Sequence, residues 1–161
     1  MEGLELASRS PEQTHLLGRH LGELAREADV FLLIGELGTG KTCLVQGIAD
    51  GLAVEEYAFS PSFVILREYQ GRLPLYHIDL YRLERPEEIA DLGLEEYFYS
   101  RGVCVIEWAE RAPSILPEEN LLVTLRYVAD SETGRCICLK PHGERYRQLS
   151  NELTVREEIW S

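Results

Sequence analysis

Val30-Phe31-Leu32-Leu33-Ile34 runs directly into Gly35-Glu36-Leu37-Gly38-Thr39-Gly40-Lys41-Thr42, and this junction decides the fold. The apolar run, with β-branched Val30 and Ile34, predicts a buried parallel strand. The loop that follows matches G-x-x-x-x-G-K-[ST] at every fixed position. Beyond it Leu44, Val45, Ile48 and Leu52 recur on one helical face, with Gly51 near the end. Strand, glycine loop and helix in that order form a phosphate-binding loop. Glycines let the backbone wrap closely around phosphate oxygens, and its N–H groups converge as a nest at the helix N-terminus. Lys41 adds a point charge for the β- and γ-phosphates, and Thr42 a hydroxyl for magnesium. A chance match is expected in about one chain in a hundred of this length at ordinary glycine, lysine and Ser/Thr usage. The chain holds only two lysines, Lys41 and Lys140, and one of them fills the motif position.

Working outward, 161 residues suit a single domain over 1–161, large enough to bury a core without disulfides or metals. No apolar stretch approaches the ~20 residues of a membrane span, and the N-terminus lacks a basic region followed by an apolar one, so a cytoplasmic address is expected. The net charge of −12 argues against a surface that neutralises nucleic-acid phosphates. Work in an RNA pathway would therefore run through another protein, with little direct nucleic-acid contact. Cys43, Cys104, Cys136 and Cys138 lack zinc-ligand or secreted-disulfide spacing and read as reduced, partly buried thiols.

Residues 4–7 predict a first strand, and Ser10-Pro11-Glu12-Gln13 a helix start with Ser10 as N-cap. Leu17, Leu21, Leu24 and Ala28 continue that helix as one apolar stripe that packs on the sheet. Ser60-Pro61-Ser62 discourages regular structure, and residues 63–69 and 73–81 form a hairpin around Gln70-Gly71-Arg72. Short helices are expected at Pro86-Glu87-Glu88 and over 94–99, then an apolar strand, Val103-Cys104-Val105-Ile106, ending at Glu107-Trp108. Strands from Leu121 to Tyr127 and over 135–140 flank the turn at 130–134, with a closing helix over 144–153 and a loose tail carrying Trp160.

Nucleotide chemistry needs a carboxylate for magnesium and a group to place the nucleophile. Asp29, Asp50, Asp91 and Asp130 fall at predicted helix ends or turns, which suits solvated or capping roles. Asp79 instead ends a strand, where a carboxylate usually has a partner; the plain alternative is an exposed Asp on an edge strand. Glu107 follows four apolar residues, and in an open α/β sheet ligands lie off the carboxyl ends of the strands, so it is expected to share the P-loop crevice. It is the candidate for orienting water or supporting magnesium. Trp108 reads equally as a core aromatic or as packing near the nucleotide. His77 lies on the Asp79 face of its strand and reads as a packed or solvent-facing histidine ahead of a catalytic one. Arg82 and Arg111 are open to ion-pair or phosphate roles, and the Ser62 loop to a switch ordered by γ-phosphate and magnesium.

The P-loop, Ser60-Pro61-Ser62-Phe63, His77-Ile78-Asp79-Leu80-Tyr81-Arg82-Leu83 and Ile106-Glu107-Trp108, in that order, resemble the TsaE family, small P-loop ATPases of bacterial tRNA threonylcarbamoyladenosine biosynthesis. The resemblance covers about residues 4–127. It implies an α/β, three-layer P-loop NTPase fold with a mixed, partly parallel central sheet and an antiparallel C-terminal hairpin. It also implies ATP/ADP and Mg2+ as ligands, and service to a complex of the transferase subunit and its inactive paralogue. Carried across by position, Gly35, Glu36, Leu37, Gly38, Thr39, Gly40, Lys41 and Thr42 hold phosphates, with Lys41 catalytic; Thr42, Asp79 and Glu107 serve metal and water. Ser62 belongs to a switch-like segment, and Trp108 matches the family's tryptophan. Cys43 stands where a Thr or Ser is common, placing a thiol at the α-phosphate position, and Ser62 where Thr is more frequent.

Three readings compete: a partner-dependent ATPase, weak alone because no nearby arginine is an evident finger; a small-molecule P-loop kinase; and a nucleotide-gated binding module with negligible turnover. The segment between the P-loop helix and Glu107 is short for the acceptor site and lid a kinase needs. No residue is identified for the base; the loops at 8–10 and 130–134 are the candidates.

Overall fold

The computed structural model describes residues 3–56, 66–83 and 85–156; Ser60, Pro61, Ser62, Phe63 and Trp160 lie outside them. In chain order come β1 (Leu4–Ser8), α1 (Pro11–Leu24), β2 (Val30–Gly35), α2 (Lys41–Gly51), β3 (Leu66–Tyr69), β4 (Leu75–Asp79), α3 (Pro86–Ala90), α4 (Glu95–Phe98), β5 (Val103–Glu107), β6 (Asn120–Tyr127), β7 (Arg135–His142) and α5 (Glu144–Val155). The strands form one sheet in the order β1-β7-β6-β2-β5-β4-β3. The β6-β2, β2-β5 and β5-β4 pairs are parallel, while β1-β7, β7-β6 and β4-β3 are antiparallel. The expected mixed α/β sheet is observed, with the P-loop strand at its middle.

Two cores explain the layers. Phe31, Leu33, Val105, Val123 and Leu139 face α1, α2 and α5, and meet Leu21, Leu44, Ile48 and Leu149 there. Val30, Leu32, Ile78, Cys104 and Ile106 point the other way, against Leu94 and Phe98 of the α4 segment and the turns after β5. β2 buries both faces, as a central parallel strand must, which is why it reads as an unbroken apolar run.

α1 begins as its sequence predicts: Ser10 is extended at φ −155° and its hydroxyl accepts from the Gln13 N–H at 3.2 Å. It ends at Leu24, short of the apolar stripe's last member. Ala25 is extended and Ala28 takes φ 68°, its N–H donating to Gly102 O at 3.0 Å, so tertiary contact overrides the periodicity. The α1–α2 contact is backbone on backbone. A Cβ on Gly18 would overlap Leu44 O, and one on Gly22 Ile48 O; reciprocally, Gly47 faces His15 O and Gly51 faces Arg19 O.

The β3-β4 hairpin pairs Leu66 with Ile78 and Tyr69 with Leu75. β4 stops at Asp79 rather than at 81 because the Asp79 Oδ1 accepts the Tyr81 N–H at 2.9 Å and turns the chain. At the opposite end of the sheet α5 docks by polar contacts. The Tyr146 hydroxyl accepts from the Val30 N–H at 2.8 Å, and Arg145 spans both oxygens of Asp29 at 3.0 and 2.7 Å. Asp29, expected in a solvated or capping role, does cap the Arg26 N–H, but its side chain is only 3% exposed; the bidentate guanidinium offsets the burial of its charge. Among the described residues no helix is long and apolar enough to cross a membrane.

Candidate functional site

The loop between β2 and α2 has the backbone its glycines permit. Gly38 and Gly40 sit at φ +82° and +110°, conformations that a side chain rarely adopts. Gly40 is the N-cap of α2 and no side chain caps this end, so the first-turn N–H groups face the loop's concavity. Lys41 is 5% exposed; its ammonium donates to Gly35 O and, at 3.0 Å, to Glu36 O, and stands 4.2 Å from the centroid of the Trp108 ring. Burial pulls the Lys41 pKa below its ordinary value, with Glu107, Glu110 and Asp79 pulling it back up. Trp108 is in the left-handed region at φ 60°, ψ 40°, a strained backbone for a bulky residue, and its N–H bonds to Leu33 O at 3.1 Å.

The parallel register sets Asp79 beside Glu107 and Glu107 beside Leu33. Both carboxylates therefore lie at the C-terminal edge of the sheet, on the face that packs against α2, and both act on Lys41. β4 lies between β5 and β3, so Asp79 is not an exposed edge-strand residue. His77, one alternation below Asp79, is fully buried, and its Nε2 lies 2.5 Å from Glu107 Oε2.

Two further groups that sequence reasoning did not assign to the site, Arg135 and Tyr127, join it. Arg135 donates to Thr39 O at 3.1 Å and Gly38 O at 3.3 Å and stacks on Tyr127 at 4.7 Å; the Tyr127 hydroxyl donates to Leu37 O. Together they hold three consecutive P-loop carbonyls, those of Leu37, Gly38 and Thr39. Arg111 stacks on Tyr81 and Trp108 at 5.4 and 5.6 Å, and those rings lie 4.9 Å apart. An open cavity of about 660 Å³ adjoins the loop, lined by Glu36, Leu37, Trp108, Glu110, Arg126 and Tyr127 among others. The two loops considered for the base meet: the Thr133 hydroxyl donates to Arg9 O at 2.9 Å, and the Cys43 thiol contacts Pro11 O at 3.1 Å. The spacing of His77 to Asp79 was the one local signal for His77; Tyr127 and Arg135 carried none, because their partners lie about ninety residues away.

A family model described as Threonylcarbamoyl adenosine biosynthesis protein TsaE matches residues 8–137. The chain is 40% identical over 160 residues to the tRNA threonylcarbamoyladenosine biosynthesis protein TsaE of Bacillus subtilis, covering 99% of both chains. It is 46% identical over 127 residues to that of Treponema pallidum, covering 79% of this chain and 94% of the relative. Among solved structures, Bacillus subtilis YdiB superposes with a TM-score of 0.85 at 35% identity, covering 97% of each chain.

Proposed function

Because the chain belongs to the TsaE family of tRNA threonylcarbamoyladenosine biosynthesis proteins, we propose that it binds Mg-ATP and hydrolyses it as the accessory ATPase of the complex that forms this modification. The observation that carries the reading is the convergence of Glu107 and Asp79, from adjacent parallel strands, on the P-loop Lys41. The inward N–H groups and the Lys41 ammonium would hold the phosphates; the ammonium now rests on carbonyls and a ring, contacts that phosphate oxygens would replace. The donor set fits magnesium: the Thr42 hydroxyl and the Asp79 and Glu107 carboxylates are hard oxygen donors that would hold the ion. Glu107 would orient the attacking water, and Trp108 would pack near the nucleotide. The ATP-dependent step serves a transferase subunit and its inactive paralogue in the cytoplasm, and the acidic surface favours protein over direct tRNA contact.

The test is ADP production by the purified chain, alone and with the two partner proteins and tRNA, without an added acceptor. Weak turnover alone and stimulation by partners is expected; dependence on one metabolite would point to a kinase. Lys41→Ala should weaken ATP binding and abolish turnover, and unchanged ATP affinity would overturn the phosphate assignment.

A further inference from the structure

We propose that His77 is a positioning residue that holds the Glu107 carboxylate in the orientation ATP hydrolysis requires; the inference rests on the ATPase reading above. His77 is fully buried and the Glu107 side chain 3% exposed, so the pair meets with little water between. Glu107 sits in a strand buried throughout, beside Leu33 and Asp79. A carboxylate there is costly unless a donor bonds it. The Nε2 of His77, 2.5 Å from Oε2, is that donor.

The placement is poorly explained by packing alone. On the same sheet face Leu75, Val105 and Leu33 are apolar neighbours of His77, while Arg67 stands opposite it on β3 and Asp79 and Glu107 lie one alternation on. An imidazole there buries two polar nitrogens, and among the described residues its Nδ1 finds no hydrogen-bond partner. A ring with one polar contact and an unsatisfied second nitrogen is a worse filler than Leu or Phe, unless the one contact is what it is there for. Because Nε2 faces a carboxylate oxygen, an acceptor, it is the nitrogen that donates in this pair. The register then makes the geometry specific. His77 pairs with Val105, one alternation before the Asp79–Glu107 pair, so it props the Glu107 carboxylate from within the sheet and on the side facing α2. Among the described residues its polar contact is with Glu107, through which it would act.

The test compares wild type, Glu107→Gln, His77→Phe, His77→Gln and the double variant His77→Phe/Glu107→Gln for steady-state ATP hydrolysis with the partner proteins, and for the affinity of a fluorescent ATP analogue. Groups that orient a catalytic carboxylate typically contribute 10–100-fold. His77→Phe should lower kcat by about that factor with KM and analogue affinity within about 3-fold, and His77→Gln, which keeps a donor at similar reach, should recover most of it. The double variant should be no slower than Glu107→Gln alone, since nothing is left to position. Wild-type kcat in His77→Phe, with Glu107→Gln impaired, would overturn the inference and leave the ATPase reading standing. Equal loss of kcat and analogue affinity, or additive loss in the double variant, would assign His77 a general structural role and also overturn it. Undiminished turnover in Glu107→Gln would sink the ATPase assignment of Glu107, and the inference with it. Should His77→Phe fail to fold, His77→Leu takes its place: a kcat loss without matching affinity loss that His77→Gln recovers supports the proposal, and wild-type kcat or a matching affinity loss overturns it.

Discussion

Replacing Gly22 by alanine sets two opposed effects against each other. By helix propensity alone the change is favourable, because alanine in a helix interior gains about 1 kcal/mol over glycine. The packing opposes it. The new Cβ would overlap Ile48 O and sit 2.9 Å from Gly51 Cα and 3.0 Å from Ile48 C, all backbone atoms of α2 that no side-chain rotation can move aside. Reaching ordinary carbon contact distances requires the helices to part by about 1 Å. Overpacking of this kind costs roughly 1–3 kcal/mol, and parting the helices also loosens the contacts at Gly18 and Gly47. Overpacking less the propensity gain leaves roughly 0–2 kcal/mol, and the loosened Gly18 and Gly47 contacts add to it, so about 1–2 kcal/mol of destabilisation is expected, or roughly 2–8 °C in Tm for a domain this size. Thermal unfolding followed by far-UV circular dichroism reads it directly. The diagnostic comparison is Gly22→Ala/Gly51→Ala: one parting of the helices accommodates both methyls, so the double variant should lose less than the sum of the singles. An unchanged or raised Tm in Gly22→Ala, the outcome propensity alone predicts, would refute the reasoning.

Arg135→Ala removes the guanidinium that holds Thr39 O and Gly38 O, so the P-loop must be ordered by its ligand, and affinity for ATP should fall about 3–30-fold with little change in Tm; unchanged affinity would show the loop holds its shape unaided. Tyr146→Phe leaves the Val30 N–H without its acceptor and should cost about 1–3 kcal/mol in urea unfolding. Burial pushes the Cys104 thiol up to about 12 from 9.0, and the Tyr146 phenol to about 12 from 10.0 despite its bond from Val30. Both hold their protons more tightly folded than unfolded, so their contribution is intact below about pH 9 and is lost as pH climbs toward 12. Urea midpoints should therefore fall between pH 9 and 11, less steeply in Cys104→Ala; a flat profile contradicts the burial argument.

What was legible in the sequence is chemistry carried by neighbours along the chain. Gly38, Gly40 and Lys41 encode a backbone conformation and a charge within a few residues, and the run from Val103 to Ile106 announces a buried strand whose last residue, Glu107, is out of character. The Ser10 cap is local in the same sense. What was not legible depends on which strands become neighbours. His77 and Glu107 are thirty residues apart and meet because β4 pairs with β5 in parallel. Asp29 looked like a turn aspartate because Arg145, its partner, lies 116 residues on. Ala28 continued an apolar stripe that the helix does not, since its backbone is claimed by Gly102 O. Gly18, Gly22, Gly47 and Gly51 stood in plain view at four-residue spacing. Their meaning needed the knowledge that α1 and α2 face each other.

The grip of Tyr127 and Arg135 on the P-loop also bears on how the protein is made. The loop emerges from the ribosome early, but the residues that hold its carbonyls follow about ninety positions later, 96 for Thr39 and Arg135. β6, which pairs with β2 along its length, and Tyr146, which satisfies the Val30 N–H, arrive just as late. At ~5–20 residues per second the nascent chain spends about 5–20 s with its phosphate loop translated and unsupported. On the proposed ATPase reading, nucleotide binding would therefore belong to the nearly finished polypeptide, and a ribosome stalled before Arg135 would display the motif without the site.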